Sequence, residues 1–89
     1  MNSSSVPVVL VHWNQPAACL RTIERFRDEP EVCGIVVVDN GSEPDAVAAV
    51  AAYIDDLPTV ELLDLGRNTG FGPAANRGYQ LWLAREGWE

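Results

Sequence analysis

Gly34-Ile35-Val36-Val37-Val38-Asp39-Asn40-Gly41-Ser42 decides how this chain folds. Its β-branched run has no polar alternation, which fits a strand buried on both faces, as in a parallel sheet. An acid closes the strand, and Asn40-Gly41-Ser42 has the composition of a tight turn. Upstream, residues 6–13 form a second Val-rich run with little alternation and read as another buried strand. Between the two, Cys19, Ile23 and Phe26 recur at helical spacing beside Leu20, with Arg21, Glu24, Arg25 and Asp28 on the wet side. Asn14 is expected to cap that helix, Pro16 fits its first turn, and Pro30 lies beyond its end.

Downstream, Ser42 and Asp45 resemble a capping box with Asp in place of Glu, and Pro44 suits the first helical turn. Val47, Val50, Ala51 and Ile54 are the expected inner stripe of this second helix, which ends before Pro58. Residues 60–65 read as a third strand and residues 66–73 as a glycine-rich loop. A third helix follows with Ala75, Tyr79 and Trp82 on its inner face and Gly87 at its end. The order is βαβαβα, an α/β fold with a parallel sheet. Residues 1–5 are a polar lead expected to be flexible, and residues 6–89 form one domain. Three parallel strands leave apolar open edges, which complete folds avoid. The sheet therefore reads as unfinished and the chain as truncated.

Composition narrows the function. Of 89 residues, 47% are hydrophobic and 21% charged, so the chain is globular rather than disordered. Net charge is -7 and every basic residue is Arg, which argues against nonspecific nucleic-acid binding. Arg67 and Arg77 leave room for one local cationic pocket. Cys19 and Cys33 sit among apolar neighbours and read as reduced buried thiols. His12 is the sole histidine, so no metal site follows from spacing. The start Met1-Asn2-Ser3-Ser4-Ser5 lacks a positive n-region, and residues 6–11 are too short an apolar run to span a bilayer. A cytoplasmic setting is expected, with a longer enzyme working at the inner face of a membrane.

Ligands of open parallel sheets bind at the carboxyl ends of the strands. Three segments fall there: His12-Trp13-Asn14, Asp39-Asn40-Gly41-Ser42 and Arg67-Asn68-Thr69-Gly70-Phe71-Gly72. Each is polar or Gly-rich after an apolar strand. Asp39 can accept from a nucleobase N–H or ribose hydroxyls, or it can satisfy the amides of its own turn. Gly70-Phe71-Gly72-Pro73-Ala74-Ala75 matches G-x-G-x-x-A, but a loop separates it from the strand that the dinucleotide fingerprint follows. Asn76 and Arg77 lie near a helix start, where an anion is favoured. Each also has a local reading, Asn76 tying down the loop before it and Arg77 as a solvated cation. Tyr79, Trp82 and Trp88 read as core rather than as a sugar platform.

Taken together, three segments resemble family-2 glycosyltransferases of the GT-A fold, especially bacterial rhamnosyltransferase-like members. They are Val8-Val9-Leu10-Val11-His12-Trp13-Asn14, Ile35-Val36-Val37-Val38-Asp39-Asn40-Gly41-Ser42, and Asn68-Thr69-Gly70-Phe71-Gly72-Pro73-Ala74-Ala75-Asn76-Arg77-Gly78. The family shows a strand ending in Tyr-Asn or Trp-Asn, then V-V-D-N-G-S, then N-x-G-F-x-x-x-x-N-x-G. The resemblance covers nearly the whole chain from Val6. It implies a Rossmann-like half of a GT-A domain that binds a nucleoside-diphosphate sugar, for transfer to a polysaccharide or lipid-linked acceptor.

Carried over by position, His12, Trp13 and Asp39 would hold the base and ribose. Asn40, Arg67, Asn68, Gly70 and Asn76 would wall the nucleotide. The resemblance also implies a divalent metal, Mg or Mn, held by a D-x-D-type motif, and a later catalytic carboxylate. The 89 residues contain neither, so no catalytic or metal residue is assigned and the chain alone is expected to be inactive. Two rival readings stay open: a non-catalytic nucleotide-binding or assembly module forming a homo-oligomer through its open edge, and a nicotinamide-dinucleotide domain.

Overall fold

The computed structural model describes residues 6–84. The expected flexible lead, Gly87 as helix terminator and Trp88 as a core residue lie outside the described residues. The element order is β1 (Val6–His12), α1 (Pro16–Arg27), β2 (Val32–Asp39), α2 (Pro44–Ile54), β3 (Val60–Asp64) and α3 (Phe71–Ala84). The strands are parallel in the order β1-β2-β3, so the βαβαβα reading of the sequence is the observed fold.

Of the strands, β2 alone is buried on both faces, because it is the central one. β1 was expected to be buried likewise, but it is an edge and its residues are mostly half-buried. β2 sorts its side chains by parity. Ile35 and Val37 join Cys19, Ile23, Val50, Ile54 and Val60 in a cluster under α1 and α2. Val36 and Val38 join Ala74 on the other face, with Val9, Leu63, Leu81 and Trp82 packed around them. α3 thus takes the opposite face from α1 and α2, and it packs on β2 and β1 rather than on β3, the strand it follows. The chain reverses direction across the sheet at that point. Close approach makes this possible: a Cβ on Gly78 would lie 2.6 Å from side-chain carbons of both Val38 and Val9.

Four local expectations differ from what is observed. Asn14 does not cap α1; Gln15 is the N-cap, without a side-chain cap bond. Ser42 and Asp45 form no capping box, because α2 starts from Glu43 and the Ser42 side chain is engaged elsewhere. The inner stripe of α2 is Ala46, Val50 and Ile54, while Ala51 is exposed. An Ala-rich helix is nearly apolar all round, so its spacing does not fix which side faces in. α3 begins at Phe71, earlier than expected, and its inward residues are Ala74 and Gly78, with Tyr79 exposed.

Candidate functional site

At the carboxyl ends of the three strands, the loops are tied to one another by side chains of β2 and its turn. Asp39 is fully buried and His12 is 4% exposed. His12 Nδ1 lies 2.9 Å from Asp39 Oδ2. The other ring nitrogen, Nε2, accepts the backbone N–H of Gln15 at 3.0 Å. A backbone N–H can only donate, so Nε2 carries no proton and the imidazole is the neutral Nδ1–H tautomer. The contact is therefore a hydrogen bond to a carboxylate, not an ion pair of two full charges. Asp39 Oδ1 accepts the Ser42 N–H at 2.8 Å, an Asp closing its own turn. Both oxygens are thus engaged inside the protein.

Asn14 supplies the second tie between the β1 and β2 loops. Its φ of +54° lies in the left-handed region, which Asn tolerates better than most residues. In that conformation its N–H donates to Ser42 Oγ at 2.8 Å, and its Oδ1 accepts the Glu43 N–H at 2.7 Å. Asn14 therefore satisfies an amide at the start of α2 instead of capping its own helix.

Asn40 performs the same task toward β3. Its Oδ1 accepts Thr69 N–H at 2.8 Å and Thr69 Oγ1–H at 3.1 Å. Its Nδ2 donates to Gly70 O at 3.3 Å and to Asn68 Oδ1 at 3.4 Å. Asn68 Oδ1 also accepts the Gly70 N–H at 2.9 Å. Gly41 closes the gap between the loops. Its φ is +91°, and an added Cβ would stand 2.6 Å from both Arg67 C and Asn68 N. Only glycine fits there, on conformation and on space.

Of the sequence-derived candidates, His12, Asp39, Asn40, Asn68 and Gly70 belong to this network. Trp13 sits on its rim, 55% exposed. Arg67 is exposed, and its backbone lies against Gly41. Asn76 and Arg77 are exposed on α3; neither arginine, 67 or 77, joins an ion pair with a described residue. Phe71, 73% exposed, stands at the start of α3. Residues 65–69 separate β3 from Gly70, so the G-x-G-x-x-A match does not follow its strand directly as the dinucleotide fingerprint does. Sequence reasoning missed the bonding roles of Asn14, Ser42 and Thr69; an Asn directly before a Gln-Pro helix start was the available signal.

A groove of about 350 Å³ opens beside Trp13, between residues 10–13 and Gln15, Ala18, Cys19 and Thr22 of the first helix and its approach. Burial, and secondarily the charge of Asp39, push the Cys19 thiol up to about 11, so it is an inert wall rather than a nucleophile. Among the described residues no group of three His, Cys, Asp or Glu could hold a metal ion, and Asp39 is already committed to His12 and Ser42. These residues do not fit a divalent cation. No described helix is long and apolar enough to cross a membrane.

A comparison with curated proteins finds no match to the chain. The family model described as glycosyl transferase family 2 matches residues 8–85, most of the chain, and the chain belongs to that family.

Proposed function

We propose, on the premise that this chain belongs to glycosyl transferase family 2, that it holds the nucleotide of an activated sugar donor at the carboxyl ends of β1, β2 and β3. One observation carries the reading: three loops from separate strands are cross-tied into a single mouth with an exposed indole on its rim. The Trp13 face can stack on a nucleobase, and Arg67 offers a cation to phosphate oxygens. Asn40, Asn68 and Gly70 would shape the wall between them, with exposed Asn76 of α3 proposed to line the approach. The sugar would pass to a polysaccharide or lipid-linked acceptor in a cytoplasmic setting, with a rhamnosyltransferase-like donor as the narrower reading. The divalent ion of the family would take its ligands from other residues, and the role proposed for these is binding alone.

Titration of the full chain with uridine or thymidine diphosphate, followed by heteronuclear NMR, tests this. Saturable shifts are expected at the Trp13 indole and at the amides of residues 40–42 and 67–70. A nicotinamide dinucleotide is expected not to compete. Absence of any saturable shift would overturn the reading. Concentration-dependent dimerisation indifferent to nucleotide would instead favour the assembly module, since β1 and β3 are the edge strands of the sheet among the described residues.

A further inference from the structure

We infer that His12 is a positioning residue, which sets the Trp13 turn through Asp39 and does not itself touch the nucleotide. The inference rests on the nucleotide-binding reading for its affinity readout only. His12 is the last residue of β1, and Trp13 is the first beyond it. Three ties hold the turn on either side of Trp13. The ring of His12 bonds forward to Gln15 N–H through Nε2 and sideways to Asp39 through Nδ1–H. The Asn14 backbone N–H is held by Ser42 Oγ, and Ser42 N–H is held in turn by Asp39. Trp13 is thus the free side chain between fixed neighbours, its indole presented before any ligand arrives.

The imidazole is buried and has both nitrogens occupied, so it has no atom left for a ligand. Asp39 depends on it in return. This carboxylate has no solvent access, and His12 and Ser42 are the donors that satisfy it. A buried carboxylate stripped of such a donor is costly. The neutral tautomer is what allows one ring to serve both neighbours, because only it pairs an acceptor for Gln15 with a donor for Asp39.

The test reads the His12 ring nitrogens of the full chain by NMR, then repeats the spectrum at saturating uridine or thymidine diphosphate. The expected result is an Nδ1–H tautomer whose proton signal survives nucleotide saturation. An Nε2–H or doubly protonated ring in the free chain, or an Nδ1–H signal lost on saturation, would overturn the inference. His12→Asn can still donate to Asp39 from an amide at the Nδ1 position; it is expected to keep affinity within about threefold of the parent. His12→Leu is expected to bind about tenfold more weakly and to lose the fixed backbone turn on either side of Trp13. Equal binding by all three chains would also overturn it. If His12→Leu does not fold, the tautomer spectrum of the unaltered chain decides. If no nucleotide binds, the function reading fails alone, and the tautomer and the order of Trp13 in the free chain still judge the positioning role.

Discussion

The centre of the mouth and its rim are built on opposite terms. Asp39 and Asn40 are buried with their side-chain polar atoms matched by bonds within the protein, and Gly41 packs tightly against the Arg67–Asn68 backbone. Trp13, Arg67 and Phe71 surround them and are exposed. The centre spends its chemistry on holding three loops together, and the rim keeps its chemistry available. The difference teaches that polarity at a strand end does not by itself mark a ligand contact. Substitution should separate the two regions: changes at the centre cost folding, and changes at the rim cost binding while sparing the fold.

Gly41→Ala is the strongest attempt to break that contrast. A side chain at φ +91° meets the Arg67–Asn68 backbone, which cannot yield as a flexible side chain would. A loss of about 3 kcal/mol is expected from left-handed strain combined with the clash, read from a denaturant melt. A variant as stable as the parent would show that the loops are not tied as described. Asn40→Ala follows. It strands the Thr69 amide and frees the β3 loop, with an expected loss of about 2 kcal/mol and increased amide mobility over residues 67–70. Trp13→Ala should leave unfolding within about 0.5 kcal/mol yet weaken diphosphonucleoside binding about tenfold, within the range of base–aromatic stacking. A large stability loss there would erase the distinction between centre and rim.

Cys19 gives the smallest and sharpest effect, because burial in the groove wall, and secondarily the charge of Asp39, hold the proton on its thiol. Its thiol, raised from 9.0 to about 11, favours the protonated form in the folded chain. The sign follows: the stability this contributes is complete below pH 9, where the unfolded thiol is also protonated, and is lost as pH rises through about 11. Alkylation followed against pH should label half-buried Cys33 before Cys19 at every pH below that point. Early labelling of Cys19 would mean that the groove is open to its floor.

The order of elements was legible because Ile35-Val36-Val37-Val38 can only be a doubly covered strand, and proline and glycine mark the turns around it. The location of the mouth was legible too, from polar segments placed after apolar strands. What the sequence did not disclose was the division of labour inside it. Asp39 had two readings of equal standing, a base contact or a turn-closing carboxylate, and only three-dimensional packing puts His12 and Ser42 on its oxygens. Asn14 looked like a cap for α1 because capping statistics are local, whereas its actual partners lie in the turn after β2. Tyr79 looked inward because helical phase was counted from Ala75, while the tight seat of Gly78 against Val9 and Val38 turns α3 by one residue.

The ring of ties among the three loops has a consequence for how this end of the molecule opens. The amides of Gln15, Ser42, Glu43 and Thr69 each end on a side chain that belongs to another loop or is itself bonded to one. Opening any one of these loops therefore breaks bonds that also hold its neighbour. These amides should exchange through one shared opening event with one common free energy, so that the mouth is a single cooperative unit rather than three independent flaps.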